Sequence, residues 1–254
     1  MLNFKSWLEG SLRDIIQPIQ QSPKHHAEGD VFVHTRMVRQ QLQSAIAYFQ
    51  QLAVDKDSVF GNLDRQLSPA DVNLLRIGAW LHDIGKASAT TDDSGKIQAI
   101  GHEQPAHFEP MMKKLGSPWQ QMYEKASAED KEDLWFIIQQ HMSLQPHFPR
   151  KFLRQLLDAT GKFKNDRRVK LLLILIMMDQ SGRISLGGLN GDAALPEIAG
   201  RMRQSAMDFQ STIKPQKEKS SDDPTTFAND LMTKGLDQGT IRKAYFGKFG
   251  QNMQ

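Results

Sequence analysis

Apolar residues recur at helical spacing along most of the chain. No stretch sustains period-two alternation with turn residues on both sides. Phe4, Leu8, Leu12 and Ile15 form one stripe, which predicts an amphipathic helix over 3–20. The polar segment 21–30, with Pro23 and Gly29, reads as a loop, so His25 and His26 are expected in solvent. Met37, Ile46 and Phe49 predict a helix over 31–53 with His34 in its first turn. Ser68, Pro69 and Asp71 start another: Ser68 caps, Pro69 fits the first turn, and Asp71 faces the positive helix end. Leu74, Ile77 and Leu81 carry that helix into His82-Asp83, where Gly85 is expected to stop it in a left-handed turn.

Further along, 90–99 is polar and reads as a surface loop, and Gly101-His102-Glu103 is expected to open a helix reaching Leu115. Ser127 and Asp130 resemble a capping box for a helix that delivers His141 near its end. Residues 149–160 read as helical, and a helix over 165–180 holds the apolar run 171–178 and ends in Asp179. That run is far short of a membrane span. Gly182, Gly187 and Gly188 loosen the chain, and 195–212 forms one more helix. The fold expected is all-α: a helical domain over 1–213, a polar linker over 214–224, and two short helices in a C-terminal appendage over 225–254.

The 254 residues carry 32 Lys and Arg against 29 Asp and Glu, so the net charge of +3 permits nucleic-acid contact without demanding it. With no cysteine, disulfides, zinc–thiolate sites and thiol nucleophiles are excluded. Any metal must be held by His, Asp, Glu and water, a set that suits Mn, Ni, Co, Fe, Mg or Zn. The amphipathic N-terminus is unlike a signal peptide, and a soluble, cytoplasmic protein without membrane association is expected.

His34, His82, Asp83, His102, His141 and Asp179 stand in the order H…HD…H…H…D. With Gly85-Lys86 after the HD pair, this order resembles the HD-domain superfamily of metal-dependent phosphohydrolases over roughly 28–190. The resemblance implies an HD-type helical bundle in which His34, His82, Asp83 and Asp179 hold one ion. In two-metal members, two further histidines bind a second ion, and His102 and His141 fit their order. In one-metal members, similarly placed groups contact substrate phosphate, so one or two ions remain open.

Lys86, Arg36 and Arg183 are the expected phosphate contacts, because each could neutralise charge on a phosphoryl group. Glu103, beside His102, is a candidate for orienting a ligand or water. His147 is a candidate cleft residue, whereas His107, five residues from His102, is off its face.

Several stretches are similar to the HD region of bacterial tRNA nucleotidyltransferases: 31–38, 79–86, 101–103, 141–147 and 178–183, with 230–239 similar to their helix-turn-helix. The paired carboxylates of the nucleotidyltransferase head have no room before residue 30, so CCA addition is not implied. The resemblance implies hydrolysis of a phosphoester, with a nucleotide or RNA end bearing a 2',3'-cyclic phosphate as candidate substrate. In that chemistry Asp83, Lys86 and Arg183 are the candidate catalytic residues, acting with metal-activated water. Two other readings stand beside it: a di-iron HD-type oxygenase, and a non-catalytic RNA-binding module using basic residues such as Arg242, Lys243 and Lys248.

Overall fold

The structure, a computed structural model, describes residues 4–22, 26–52, 63–93, 96–143, 150–157, 163–184 and 190–213. It is mostly helical. In chain order the helices are α1 (Phe4–Ile16), α2 (Val31–Gln40), α3 (Leu42–Leu52), α4 (Pro69–Leu81), α5 (Lys86–Ala89), α6 (Pro105–Lys114), α7 (Ser117–Lys125), α8 (Ala128–Gln140), α9 (Arg150–Leu156), α10 (Asp166–Ser181) and α11 (Leu195–Ile213). A two-stranded antiparallel hairpin, β1 (Thr91–Asp93) and β2 (Lys96–Gln98), lies between α5 and α6. The chain divides into two compact units, Met1–Phe209 and Gln210–Gln254. The expected linker 214–224 and appendage 225–254 lie outside the described residues, as do His25 and His147.

The first unit is organised around α10, in which every residue from Val169 to Asp179 is buried. A helix apolar on all sides has no solvent face to offer and takes the middle of a bundle. It packs against α2, α3, α4 and α8. No helix among the described residues is long and apolar enough to cross a membrane.

Local sequence accounts for the helix starts. Ser68 Oγ accepts from the Asp71 N–H at 3.1 Å, and Asp71 Oδ2 accepts from the Ser68 N–H at 2.9 Å, a closed capping box at α4. Ser127 caps α8 through the Asp130 N–H at 3.0 Å, and Asp30 caps α2 through the Val33 N–H at 2.8 Å. Three expectations fail. The first helix ends at Ile16, not 20. The helix expected over 31–53 breaks at Gln41, whose N–H turns back to Val38 O at 3.1 Å and tightens the last turn of α2. The polar segment 90–99 is not an irregular loop but the β1–β2 hairpin, with Asp92 opposite Ile97.

A brace of charges fixes α10 against α4 and α8. Asp133, fully buried, accepts from Arg167 at 2.8 Å and from Arg168 at 2.6 Å. Arg167 also donates to Asp71 and Asp130, both at 2.7 Å. Burial alone would raise the Asp71 carboxyl, but Arg167 and Ser68 outweigh it and hold it below its ordinary value. Its contribution is therefore complete above the unfolded value of roughly 4 and is lost as pH falls through the lower folded value. Asp133→Ala strands two guanidinium groups that retain some solvent and other partners. It is expected to cost about 3 kcal/mol, at the low end for a broken buried pair, read as a melting temperature lower by roughly 6–12 °C. An unchanged melting curve would show that the brace is not a stabilising element.

Candidate metal centre

Six side chains from five segments meet at one end of this packing. The first turn of α2 supplies His34, and α4 ends at Leu81 and hands over His82 and Asp83. His102 sits on the turn between β2 and α6, His141 closes α8, and Asp179 lies in α10. All six are buried, none more than 4% exposed. Sequence spacing placed His102 inside a helix starting at 101. In the structure that helix waits until Pro105, so His102 is set by a turn instead.

Three of the rings are tied to their own backbone. Nδ1 of His82 faces Ala79 O at 3.0 Å, Nδ1 of His102 faces Ala99 O at 2.8 Å, and Nδ1 of His141 faces Ile138 O at 2.6 Å. A carbonyl oxygen only accepts, so each Nδ1 carries the proton in the neutral ring and each Nε2 presents a lone pair. The fourth ring, His34, turns Nδ1 to Glu28 Oε1 at 2.8 Å.

The Nε2 atoms converge on two carboxylates. Asp83 Oδ2 lies 3.5 Å from His34 Nε2 and 3.4 Å from His82 Nε2. Asp179 Oδ1 completes that side, at 3.1 Å from His34 and 3.6 Å from His82. Asp83 Oδ1 faces the other way, 2.9 Å from His102 Nε2 and 3.7 Å from His141 Nε2. One carboxylate thus serves two donor sets, His34–His82–Asp179 and His102–His141. The buried Nε2 of His82 has no hydrogen-bond partner, and the Nε2 atoms of His102 and His141 are 3.2 Å apart. Facing lone pairs without protons between them repel, and a cation removes that conflict. The buried His/Asp clusters can therefore hold a metal ion.

Charge at the two carboxylates and at His141 supports the same reading, whereas at His34 burial is outweighed by Asp179 and Glu28, which raise its pKa. Burial alone would raise the Asp83 carboxyl, but Lys86 and His82 outweigh it and hold it well below the usual range. At Asp179 burial is likewise overridden, chiefly by Arg183, by the bond to His34 and by the nearby His82 ring. Burial lowers the pKa of His141 and favours the neutral, ligating ring. Lys86 Nζ lies 2.7 Å from Asp83 Oδ2 and donates to Gln21 Oε1 at 2.7 Å. Arg183 donates to Asp179 at 2.5 Å. Both cations line a cavity of about 240 Å³ with His26, His102 and Gln21.

Gly85 does not take the expected left-handed conformation. Its φ is −65° and it begins α5. What the position requires is the absence of a side chain, because a Cβ there would lie 2.0 Å from His102 O. Gly182, expected to loosen the chain, is also a close approach, with a Cβ 2.6 Å from Val38 Cα. Arg36 is not at the site. It is exposed, and its guanidinium lies 3.7 Å from Glu9. Glu103 does not orient His102: its carboxylate is 3.8 Å from Nδ1, and the Ala99 carbonyl has taken that place. Glu103 is also absent from the cavity lining.

Two residues are better placed than their sequence suggested. His26, expected in solvent, is largely buried, its ring edge-on to His34 at 4.8 Å. Burial is the main reason its pKa is lowered to about 4. Glu28 joins the two rings. Its Oε1 lies 2.8 Å from His26 Nδ1 and 2.8 Å from His34 Nδ1, and its Oε2 accepts from the Ile184 N–H at 3.0 Å. His34 is thus the one ligand candidate with a carboxylate behind it, an arrangement that makes an imidazole a better donor. Glu28→Gln is expected to weaken binding of Co or Zn by roughly 10–100-fold, measured by titration of the metal-free protein. Equal affinity would remove Glu28 from the site.

No family model, curated protein or solved structure matches the chain.

Proposed function

We propose that the first unit is an HD-type phosphohydrolase that holds two divalent ions and cleaves a phosphoester of a nucleotide or an RNA end. The observation that carries this reading is the split use of Asp83. One oxygen faces His34 and His82, and the other faces His102 and His141. That is the arrangement expected of a bridging ligand. Ions bound there would supply Lewis acidity and lower the pKa of a coordinated water.

The chain's own residues do the rest. Nδ1 contacts fix the ring orientations and aim every Nε2 inward before any ion arrives. Lys86 and Arg183, at the cavity wall, pair with the carboxylates and present cationic N–H groups to a phosphoryl oxygen entering beside them. Two cations at the mouth favour an anionic ester over a neutral substrate, which sets this reading above the di-iron oxygenase. A cavity of about 240 Å³ admits the terminal phosphate and its sugar more readily than a whole dinucleotide.

The test is elemental analysis of protein purified without added metal, with turnover of bis-p-nitrophenyl phosphate and 2',3'-cyclic AMP under Mn, Ni, Co and Mg. Two ions per chain with phosphodiester turnover are expected. Iron bound without ester cleavage would replace this reading with oxygen chemistry, and no metal with no turnover would end it. In the same assay Lys86→Ala is expected to keep its ions and lose turnover by roughly a hundredfold. Unchanged kinetics would take Lys86 out of the machinery.

A further inference from the structure

A cavity larger than that at the metal centre lies elsewhere. It encloses about 480 Å³ where α1 and the α2–α3 break meet α4, and it shares no lining residue with the cavity at the metal centre. A volume of this size suits a small organic ligand. Besides Arg39 and Arg76, its wall has two kinds of surface. Trp80, Ile77 and Leu8 give an apolar side. Asn73 and Gln43 bring carboxamides, which both donate and accept.

Arg39, half-buried, is the unusual part; Arg76 stands exposed on α4. Most of the buried or half-buried cations here have an acid: Lys86 has Asp83, Arg183 has Asp179, and Arg167 has Asp71. Arg39 and Arg76 have no carboxylate within ion-pair distance among the described residues. Arg39 instead lies over the Trp80 indole at 4.9 Å. That cation–π contact holds the guanidinium near the indole, and its N–H groups make no hydrogen bond among the described residues. A half-buried cation and an exposed one facing a cavity, with no counter-charge among the described residues, favour an anion. The indole and aliphatic wall call for a flat apolar body, and the carboxamides for a heteroatom edge. A fatty acid would leave the carboxamides unpaired, and inorganic phosphate would leave the apolar wall bare.

We propose that this cavity is a second ligand site that takes a nucleoside monophosphate unit, its phosphate on Arg39 and Arg76 and its base against the apolar wall with an edge on Asn73 and Gln43. The unit can be a free nucleotide or one residue of an RNA strand, and the same contacts serve both. The site stands apart from the metal centre, so it does not depend on what that centre does.

The test uses the full chain stripped with chelator, which silences nucleotide binding through metal. AMP, adenosine, inorganic phosphate and a short oligoadenylate are titrated by calorimetry, with Trp80→Phe used to assign any change in tryptophan fluorescence. Arg76→Ala removes one cation, and Asn73→Asp adds an opposing charge. Both positions are exposed on α4, so neither variant challenges the fold. AMP is expected to bind at least tenfold more tightly than adenosine or phosphate alone, and each variant is expected to lose at least tenfold. Binding of oligoadenylate alone, with the same variant sensitivity, would support the site and assign it to RNA. AMP binding equal in both variants, phosphate binding as tight as AMP, or no binding of nucleotide or oligomer would overturn it.

Discussion

Asp83→Ala is expected to strip both ions from the centre at once and to reduce phosphodiester turnover by roughly a thousandfold or more. The reason is the geometry of one carboxylate. Without Oδ2, the first set keeps His34, His82 and Asp179; without Oδ1, the second keeps only the His102–His141 pair. A pair of imidazoles alone is a poor divalent site, and the loss of the bridge removes the charge that lets two cations sit close together. The metal-free fold should be weakened but present, because the variant removes a carboxylate that Lys86 and His82 stabilise, while Lys86 keeps its bond to Gln21. The stabilisation contributed by metal also disappears. Melting curves with chelator should therefore separate modestly for the two proteins, and curves with added Mn should separate further. His141→Ala is the control and should lose one ion, not two. An Asp83→Ala protein that keeps a full complement of metal would rule out the bridge.

Gly85→Ala carries the second large effect, although it adds one methyl group. At φ −65° an alanine meets no backbone penalty, and local propensity would even favour it. The added carbon would instead sit 2.0 Å from His102 O and 3.0 Å from His102 C. Neither is the end of a flexible side chain, so the turn bearing His102 must move away by about 1 Å to restore ordinary contact. Overpacking of this kind costs about 2–3 kcal/mol, and a misplacement of about 1 Å can cost a hundredfold in rate. The ion on the His102–His141 side should be lost first. If the variant melts like the native protein and retains two ions, the close approach of these two turns is wrong.

Much of the centre could be read from the sequence, because helix periodicity decides where a helix ends and therefore where His82 and Asp83 fall. The same rule explains Arg183, four residues and one turn beyond Asp179. It also held the correction for Arg36: two residues past His34 is about 200° around a helix, which points the side chain away. Glu28 and His26 carried no such signal. They lie in an irregular segment whose path is set by Ala27 N–H bonding to Ile184 O at 2.7 Å and by Glu28 bonding to the Ile184 N–H, a partner 156 residues away. No local pattern announces a contact of that range. Gln21, which accepts from Lys86, was hidden for the same reason. Gly85 showed the limit from the other side. A glycine after a helix suggests unusual torsion angles, but the demand at this position is for empty space against a turn still to come.

The wide spacing of the donors has a consequence for biosynthesis. His34 and Asp179 touch across 145 residues of chain. At about 5–20 residues per second, the ribosome needs roughly 7–30 s between making one and the other. During that interval the early histidines exist without the carboxylate that completes their set, and α10, which carries it, is also the helix around which the others pack. Capture of a stray ion by the emerging chain is therefore weak. On the proposed reading, the choice of metal would fall to the finished cage, after translation has passed residue 179, and would be governed by what the cell then offers it.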